Sequence, residues 1–394
     1  MIEIKDKTKC CGCTACYNAC PKECISMVSD MEGFLYPKVN TTLCINCGLC
    51  ESVCPILNKP NIPEKSVGSF IVQTQDEDIL KESTSGGFSD VLYSCILDQG
   101  GYICGCLFDS EWMPRHEVTN NRNQLSQFRS SKYAQSRLDD IYSKIKCLLK
   151  SDKVVCFVGT PCQVSGLKSF LQKDYEKLVT VDLVCRSIPS PLLWRKYLNW
   201  QEEKYKSKIQ YINCRHKTYG YHNGTFLLEF KNGAKYSGSN RVDPFMKAFH
   251  SNICSRPACY KCEFKTKTRC SDFTVFDCWY PEKLSKNIKD NNKGYSNVII
   301  HSNKGYKIFE KLKNIEKWEA SSTQMFQFTD GMEYKSVKLP DVRKVFYQEL
   351  MKKGFGKTID KFINISLGDR VIEKMKIALY KTGILYVIRK IKRD

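Results

Sequence analysis

Eight of the 23 cysteines fall into two copies of one spacing. Cys10-x-x-Cys13-x-x-Cys16-x-x-x-Cys20-Pro21 is followed by Cys44-x-x-Cys47-x-x-Cys50-x-x-x-Cys54-Pro55. Three thiolates three residues apart on a winding loop can grip three corners of one [4Fe–4S] cube. A fourth cysteine, ahead of a proline, reaches the cube of the other half. Crossed ligation assigns Cys10, Cys13, Cys16 and Cys54 to one cluster, and Cys44, Cys47, Cys50 and Cys20 to the other. Gly12, Ala15 and Gly48 leave room for a cube and for backbone N–H groups to approach its sulfides. Two zinc sites built from Cys-x-x-Cys pairs are the alternative. Zinc takes four ligands and gives no reason for eight thiols in two copies, each ending in Cys-Pro. Cys11 and Cys24 fall outside the pattern and read as non-ligand thiols. The spacing supplies one-electron transfer; it names no substrate.

The rest of the chain must position these loops. Its 394 residues, 42% hydrophobic and 26% charged, are enough to bury a sizeable core. That excludes a disordered chain and a disulfide-held mini-protein. The polar opening Met-Ile-Glu-Ile-Lys-Asp-Lys has no secretory apolar region, and no run of about 18 apolar residues reads as a membrane span. An odd cysteine count without a signal argues against an oxidised scaffold. A cytoplasmic protein is expected, its thiols reduced or metal-bound.

Composition divides the chain into a cysteine-dense region (1–58), a proline-bearing linker (59–66), a region of alternating strands and helices (67–302), and a lysine-rich, mainly helical region (303–394). Strands are expected at Phe70–Thr74, Gly101–Phe108, Val154–Val158, Leu178–Val184 and Asn297–His301. Helices are expected at Gly87–Leu97, Arg137–Leu149, Gln163–Leu171 and Pro191–Tyr205. Asn232-Gly233 reads as the turn of a hairpin joining Gly224–Lys231 to Ala234–Ser237. The fold class is α+β / α/β: a ferredoxin-like domain, then a mixed α/β domain, then a helical basic tail. Cys95, Cys104, Cys106, Cys147, Cys156 and Cys214 lie on apolar elements and read as core.

Five segments carry a resemblance: Ser83-Thr84-Ser85-Gly86-Gly87, Ser131-Lys132-Tyr133, Gly159-Thr160-Pro161-Cys162-Gln163, Val181-Asp182-Leu183-Val184-Cys185, and Cys259-x-x-Cys262 with Ser271-Asp272-Phe273-Thr274. Over roughly residues 1–280 the chain resembles the coenzyme F420 hydrogenase/dehydrogenase beta-subunit family, which includes bacterial members beside polysaccharide-synthesis genes. The resemblance implies a flavoprotein that exchanges a hydride with an organic partner at FAD and passes single electrons through iron–sulfur clusters. It implies FAD contacts from Ser83, Thr84, Ser85, Gly86, Gly87, Lys132, Tyr133, Gly159, Thr160 and Pro161. It also implies a third [4Fe–4S] cluster on Cys162, Cys185, Cys259 and Cys262, with Cys254, Cys270 and Cys278 as competing ligands.

The residues taken alone leave alternatives open. Ser-Thr-Ser-Gly-Gly before a helix suits a phosphate, and equally a simple helix cap. Lys132 could be a lone exposed lysine. Cys162 and Cys185 could be core thiols, and Cys259-x-x-Cys262 a zinc knuckle. Two motifs depart from the family: Cys185-Arg186-Ser187 replaces Cys-His-Gly, and Phe276-Asp277-Cys278-Trp279-Tyr280 replaces Gly-Asp-Phe-Trp-Gly. These departures put the deazaflavin itself in doubt as the partner.

The formal net charge is +20. Twelve thiolates, three inorganic cores and one FAD would lower it to roughly +12. Arg370, Lys374, Lys376 and Lys381 interleave with Val371, Ile372, Met375, Leu379, Ile384, Val387, Ile388 and Ile391 at helical spacing. Such a helix fits peripheral contact with an anionic membrane or a partner, or packing on its own domain. No nucleic-acid recognition motif accompanies the charge. The expected partners are a one-electron donor or acceptor such as ferredoxin or a redox subunit, and a small-molecule substrate or deazaflavin. The expected function is flavin-dependent oxidoreduction, in polysaccharide biosynthesis on the family's gene neighbours. The alternative is a non-catalytic electron-transfer subunit.

Overall fold

Each cysteine loop turns through left-handed backbone into a short helix. Thr14 (φ 64°) precedes Ala15–Ala19, and Gly48 (φ 75°) precedes Leu49–Ser52. Between them runs an antiparallel ribbon of β1 (Ile25–Ser29) and β2 (Leu35–Val39), with Ile25 opposite Val39. The computed structural model describes residues 1–384. Residues 59–66 carry no helix or strand.

Eight strands form the main sheet: β3 (Gly68–Thr74), β4 (Tyr102–Phe108), β5 (Pro114–Thr119), β6 (Val155–Gly159) and β7 (Leu178–Leu183), then three more after an insertion. The insertion is a separate antiparallel sheet of β8 (Ile209–His216), β9 (Thr225–Phe230) and β10 (Lys235–Ser239). The main sheet is completed by β11 (Phe273–Cys278), β12 (Tyr295–Ile300) and β13 (Ile315–Glu319), in the order β13-β3-β12-β11-β7-β6-β4-β5. Pairing is parallel from β4 through β6 and β7 to β11, and antiparallel outside that block.

The continuous apolar run of β6 is explained by its place, because a central parallel strand is buried on both faces. Val155 and Phe157 point into one core, with the helices Ile141–Lys150 and Pro161–Leu171. Cys156 and Val158 point into the other, with the helix Phe88–Asp98. The first of these cores also takes in Cys13, Ala15 and Val53, so the cysteine-loop region is docked on the sheet domain through shared apolar packing. A third core surrounds Trp194 and Tyr197 of the helix Pro191–Tyr205, with Phe226, Phe245, Phe346 and Leu350.

Two buried aspartates lock β7 against the strand that follows the insertion. Asp182 accepts from Ser271 Oγ at 2.9 Å and Thr274 Oγ1 at 2.8 Å. In return Asp272 accepts from the Thr180 backbone N–H at 2.8 Å and the Thr180 hydroxyl at 2.9 Å. The Val-Asp and Ser-Asp-Phe-Thr segments are therefore two halves of one crossed hydrogen-bond clamp.

The expected mixed α/β fold is present, with differences in detail. The helix expected from Arg137 starts at Ile141, because Arg137 pairs with Arg115 at the sheet edge and Asp139 adopts φ 44°. Cys147 is exposed, not core; Cys104, Cys156 and Cys214 are buried as expected. The region beyond residue 303 is not all helix, since β13 closes one edge of the main sheet against β3. Its alternation (Ile315-Glu316-Lys317-Trp318-Glu319) is that of a half-buried edge strand. Among the described residues no helix is long and apolar enough to cross a membrane.

Burial holds His116 and His301 neutral, pushing each down to about 4 from the ordinary 6.5. Between pH 6.5 and 4 the unfolded chain takes up protons that the folded chain refuses, so this stability is present above pH 6.5 and lost as pH falls. Urea unfolding over that range should show this uptake, and His116→Gln should remove about one proton of the slope.

Candidate metal centres

The two cysteine runs cross as the spacing requires. One open pocket is lined by Cys10, Cys13, Cys16 and, from the second run, Cys54. The other is lined by Cys44, Cys47, Cys50 and, from the first run, Cys20. The surroundings differ: Cys13 and Cys16 are buried, whereas Cys47 is exposed. Burial pushes the Cys16 thiol up to about 12, so a thiolate there needs a cation beside it. A donor set of four soft thiols around each cavity fits an iron–sulfur cluster. Neither thiol outside the spacing is remote: Cys24 Sγ lies 3.3 Å from Cys20 Sγ, and Cys11 lines the first cavity.

The inner cavity is pressed against the sheet domain. A Cβ on Gly166, in the helix Pro161–Leu171, would stand 2.7 Å from Cys13 Cβ and 2.9 Å from its Sγ. Only a glycine lets that helix approach the cysteine loop so closely.

A second group of thiols gathers at the carboxyl edge of the parallel strands. β6 and β7 run in register, with Gly159 opposite Asp182, so the segments leaving them are neighbours. Cys162 follows the first and Cys185 the second. Cys259 and Cys262 come from the turn Pro257–Lys261 and its end, and each of the four thiols, if ionised, would push the others' pKa up. Burial pushes Cys259 up to about 12. Cys259 Sγ accepts from the Ile188 backbone N–H at 3.4 Å. The Lys265 ammonium lies nearby and donates to the carbonyls of Cys185 and Met332, each at 2.6 Å. Cys11 interacts with Cys13 on one side and Cys162 on the other, so it joins the inner cavity to this group. The competing thiols are occupied elsewhere: Cys254 in the core around Trp194, Cys270 beside Ser165, Cys278 against Ile71 and Tyr295.

The residues expected to hold FAD fall into separate clusters on the same edge. Thr84 Oγ1 meets Ser131 Oγ at 3.0 Å and accepts from the Ser131 N–H at 3.0 Å. Ser85 Oγ meets Ser296 Oγ at 2.7 Å, and that hydroxyl accepts from the Gly86 N–H at 2.9 Å. Ser83 is buried at the end of the preceding helix. Gly87 opens the helix Phe88–Asp98 with no side chain capping it, which leaves its first N–H groups available. Asp90 in that first turn is paired with Arg129 at 2.6 Å. Lys132 is not an exposed lysine. Its ammonium donates to the carbonyls of Gln127, Arg129 and Ser130, at 3.0, 2.5 and 3.1 Å, and burial pushes it down to about 8. Gly159, Thr160 and Pro161 stand with the thiols instead: Thr160 Oγ1 is 3.2 Å from Cys162 Sγ, and its N–H donates to Gln163 Oε1 at 2.9 Å.

β8 brings in residues that the sequence reading passed over. Arg215 is buried, 3.4 Å from Asp277 and 3.5 Å from the Tyr133 hydroxyl, and stacks over Trp279. Lys217 donates to Ser85 O at 2.8 Å, and burial pushes it down to about 7. The Arg215-His216-Lys217 run was visible, but its strand lies outside the main sheet and matched no motif.

Residues 152–325 match the family described as the C terminus of the coenzyme F420 hydrogenase/dehydrogenase beta subunit, and residues 9–57 match the 4Fe-4S dicluster domain. The chain is an iron–sulfur protein like the coenzyme F420 hydrogenase/dehydrogenase beta subunits. It is 27% identical over 205 residues to a coenzyme F420-dependent sulfite reductase of Methanocaldococcus jannaschii, across 50% of this chain and 31% of that protein. It is 21% identical over 196 residues to an F420H2 dehydrogenase subunit of Methanosarcina mazei, across 47% of this chain and 55% of that one. The matches thus span about half or less of the length of these curated relatives. A chain of the F420-reducing [NiFe] hydrogenase complex from Methanosarcina barkeri superposes with a TM-score of 0.45 at 17% identity, over 73% of this chain and 94% of that one.

Gly166→Ala should destabilise the protein by about 1–3 kcal/mol despite alanine's better helix propensity, because the cysteine loop must move away. Anaerobic urea unfolding measures it; an unchanged midpoint would mean the docking is not close-packed.

Proposed function

We propose that the chain is an iron–sulfur flavoprotein oxidoreductase, with three [4Fe–4S] clusters and FAD, acting by two electrons on its own small-molecule substrate. The observation that carries this reading is geometric: Cys162 and Cys185 follow the adjacent parallel strands β6 and β7, and Cys259 Sγ accepts from the N–H of Ile188, three residues after Cys185. An electron-transfer domain alone needs no such group. Cys10, Cys13, Cys16 and Cys54 would hold one cluster, Cys44, Cys47, Cys50 and Cys20 the second, and the four gathered thiols the third. When bound, the clusters supply single-electron transfer and FAD supplies the pairing of those electrons for two-electron chemistry.

The chain's own residues would bind and orient. The hydroxyls of Thr84, Ser85 and Ser131 and the uncapped N–H groups after Gly87 suit a pyrophosphate. Lys132, Lys217 and Arg215 are basic groups along the same edge, with Tyr133 and Trp279 packed beside Arg215. That basic lining suits an anionic substrate, such as a sugar nucleotide or lipid-linked sugar of polysaccharide synthesis, or a deazaflavin. A second reading is a non-catalytic subunit that wires a partner enzyme, favoured by the relative named as a dehydrogenase subunit.

Contact with an anionic membrane surface belongs to the same proposal. The helix Leu367–Lys381 turns its acids inward: Asp369 pairs with Lys247 at 3.0 Å, and Glu373 accepts from the Ser239 N–H at 3.0 Å. Leu367, Val371 and Met375 are exposed on it, and Arg370, Lys374 and Lys381 accompany them. Val387, Ile388 and Ile391 lie outside the described residues.

Anaerobic reconstitution should load about twelve iron per chain, from three four-iron cubes. A bound flavin should bleach on reduction by ferredoxin or dithionite. About eight iron would remove the third cluster, and clusters without flavin would favour the wiring subunit. The protein should cosediment with vesicles containing anionic lipid, and Val371→Glu with Met375→Glu should abolish this. Unchanged sedimentation of that variant would assign the helix to its own domain.

A further inference from the structure

Arg256 is one of the largest fully buried side chains, 1% exposed, and among the described residues no carboxylate pairs with it. Its guanidinium is spent on neutral acceptors. Nε donates to Cys10 O at 2.8 Å, Nη2 to Leu35 O at 2.9 Å, and Nη1 to Gln135 Oε1 at 2.7 Å. Its centre lies 4.3 Å from the ring of Tyr36, and Phe34 offers a second ring. Nη2 also stands 3.6 Å from Cys10 Sγ. The approach is prepared on the other side, because a Cβ on Gly12 would fall 2.7 Å from Nη1. The backbone of the same residue belongs to the other thiol group: its N–H donates to Ile188 O at 2.9 Å, and its carbonyl accepts from the Cys259 N–H at 2.9 Å.

Burying a cation without a counter-charge is costly, and carbonyls and rings offset only part of that cost. The anion this site lacks in side chains is the one that a cluster on Cys10 would supply. We infer that Arg256 is a positioning residue for electron transfer: its buried charge raises the reduction potential of the cluster held by Cys10, Cys13, Cys16 and Cys54 and so makes the two repeats inequivalent. This rests on the reading that those four thiols hold a cluster. On one-electron reduction by an external donor, the cluster gains one negative charge and no ligand bond changes. A fixed cation against Cys10 Sγ favours that more negative state. Arg256 reaches the inner site through Cys10 from behind the cavity wall; one lysine lines each cavity, Lys9 the inner and Lys22 the outer, so the buried guanidinium at Cys10 is the difference on which the inference rests. Electrons are thereby drawn inward, to the cluster that abuts Cys11 and the Cys162 group.

The test is a redox titration of the full-length holoprotein followed by EPR, with iron counted in every variant. Arg256→Gln should keep its iron and lose at least tenfold in the reduction equilibrium of the inner cluster, about 59 mV for one electron. The outer cluster should be unmoved. Gln135→Glu places a carboxylate where Nη1 now donates. It neutralises the cation without removing it, so it should lower the same potential if Arg256→Gln does not fold. Unchanged potentials in either iron-replete variant would overturn the inference. Should Cys10→Ser leave every cluster signal intact, the underlying ligand reading fails instead.

Discussion

The arrangement depends on the crossed clamp between Asp182 and Asp272. Each carboxylate is buried and held by hydroxyls or an N–H of the opposite segment. Together they fix β11 beside β7 in parallel register. Without that register, the chain leaving β7 at Cys185 and the turn bearing Cys259 and Cys262 have no reason to meet. The clamp costs two buried carboxylates, which are stable only because their partners are preplaced. Arg269 lies 3.6 Å from Asp182 and Lys304 3.6 Å from Asp272, so neither charge is left alone. The Val-Asp and Ser-Asp-Phe-Thr segments are structural here, and the proposed thiol site stands at the ends of the strands they hold.

Much of this was legible from spacing. The cysteine repeat gave the crossed sets because its period is short, and short-range geometry survives whatever the rest of the chain does. The apolar run Val154–Val158 and the Asn232-Gly233 turn were equally local. What stayed hidden was long-range. Nothing in Ile315–Glu319 says that it pairs with β3, some 240 residues away, and its Lys and Glu residues disguise an edge strand. Lys132 reads as a surface lysine until the fold turns its ammonium back onto three carbonyls. Arg256 sits in a turn with no motif, and its role appears only when Cys10, Leu35 and Gln135 converge on it.

The basic excess also looks different in the folded chain. The tail carries part of it, but several cations are interior and face thiols or backbone: Arg256 at Cys10, Lys265 at Cys185 O, Lys132 and Lys217 on carbonyls, with Arg215 near Asp277. Of these, Arg215 has a carboxylate beside it, whereas Arg256 rests on carbonyls, an amide and aromatic rings. The same interior presents thiols that burial keeps protonated, Cys16 and Cys259 at about 12 among them. A cluster bound at Cys10, Cys13, Cys16 and Cys54, as proposed above, would answer the conditions at Cys16 and Arg256 together. Metal bound there would displace the Cys16 proton, and the thiolates would supply a negative charge beside Arg256. On that reading, metal loading would be coupled to folding at the site beside Arg256, because ligand thiols must lose their protons to bind.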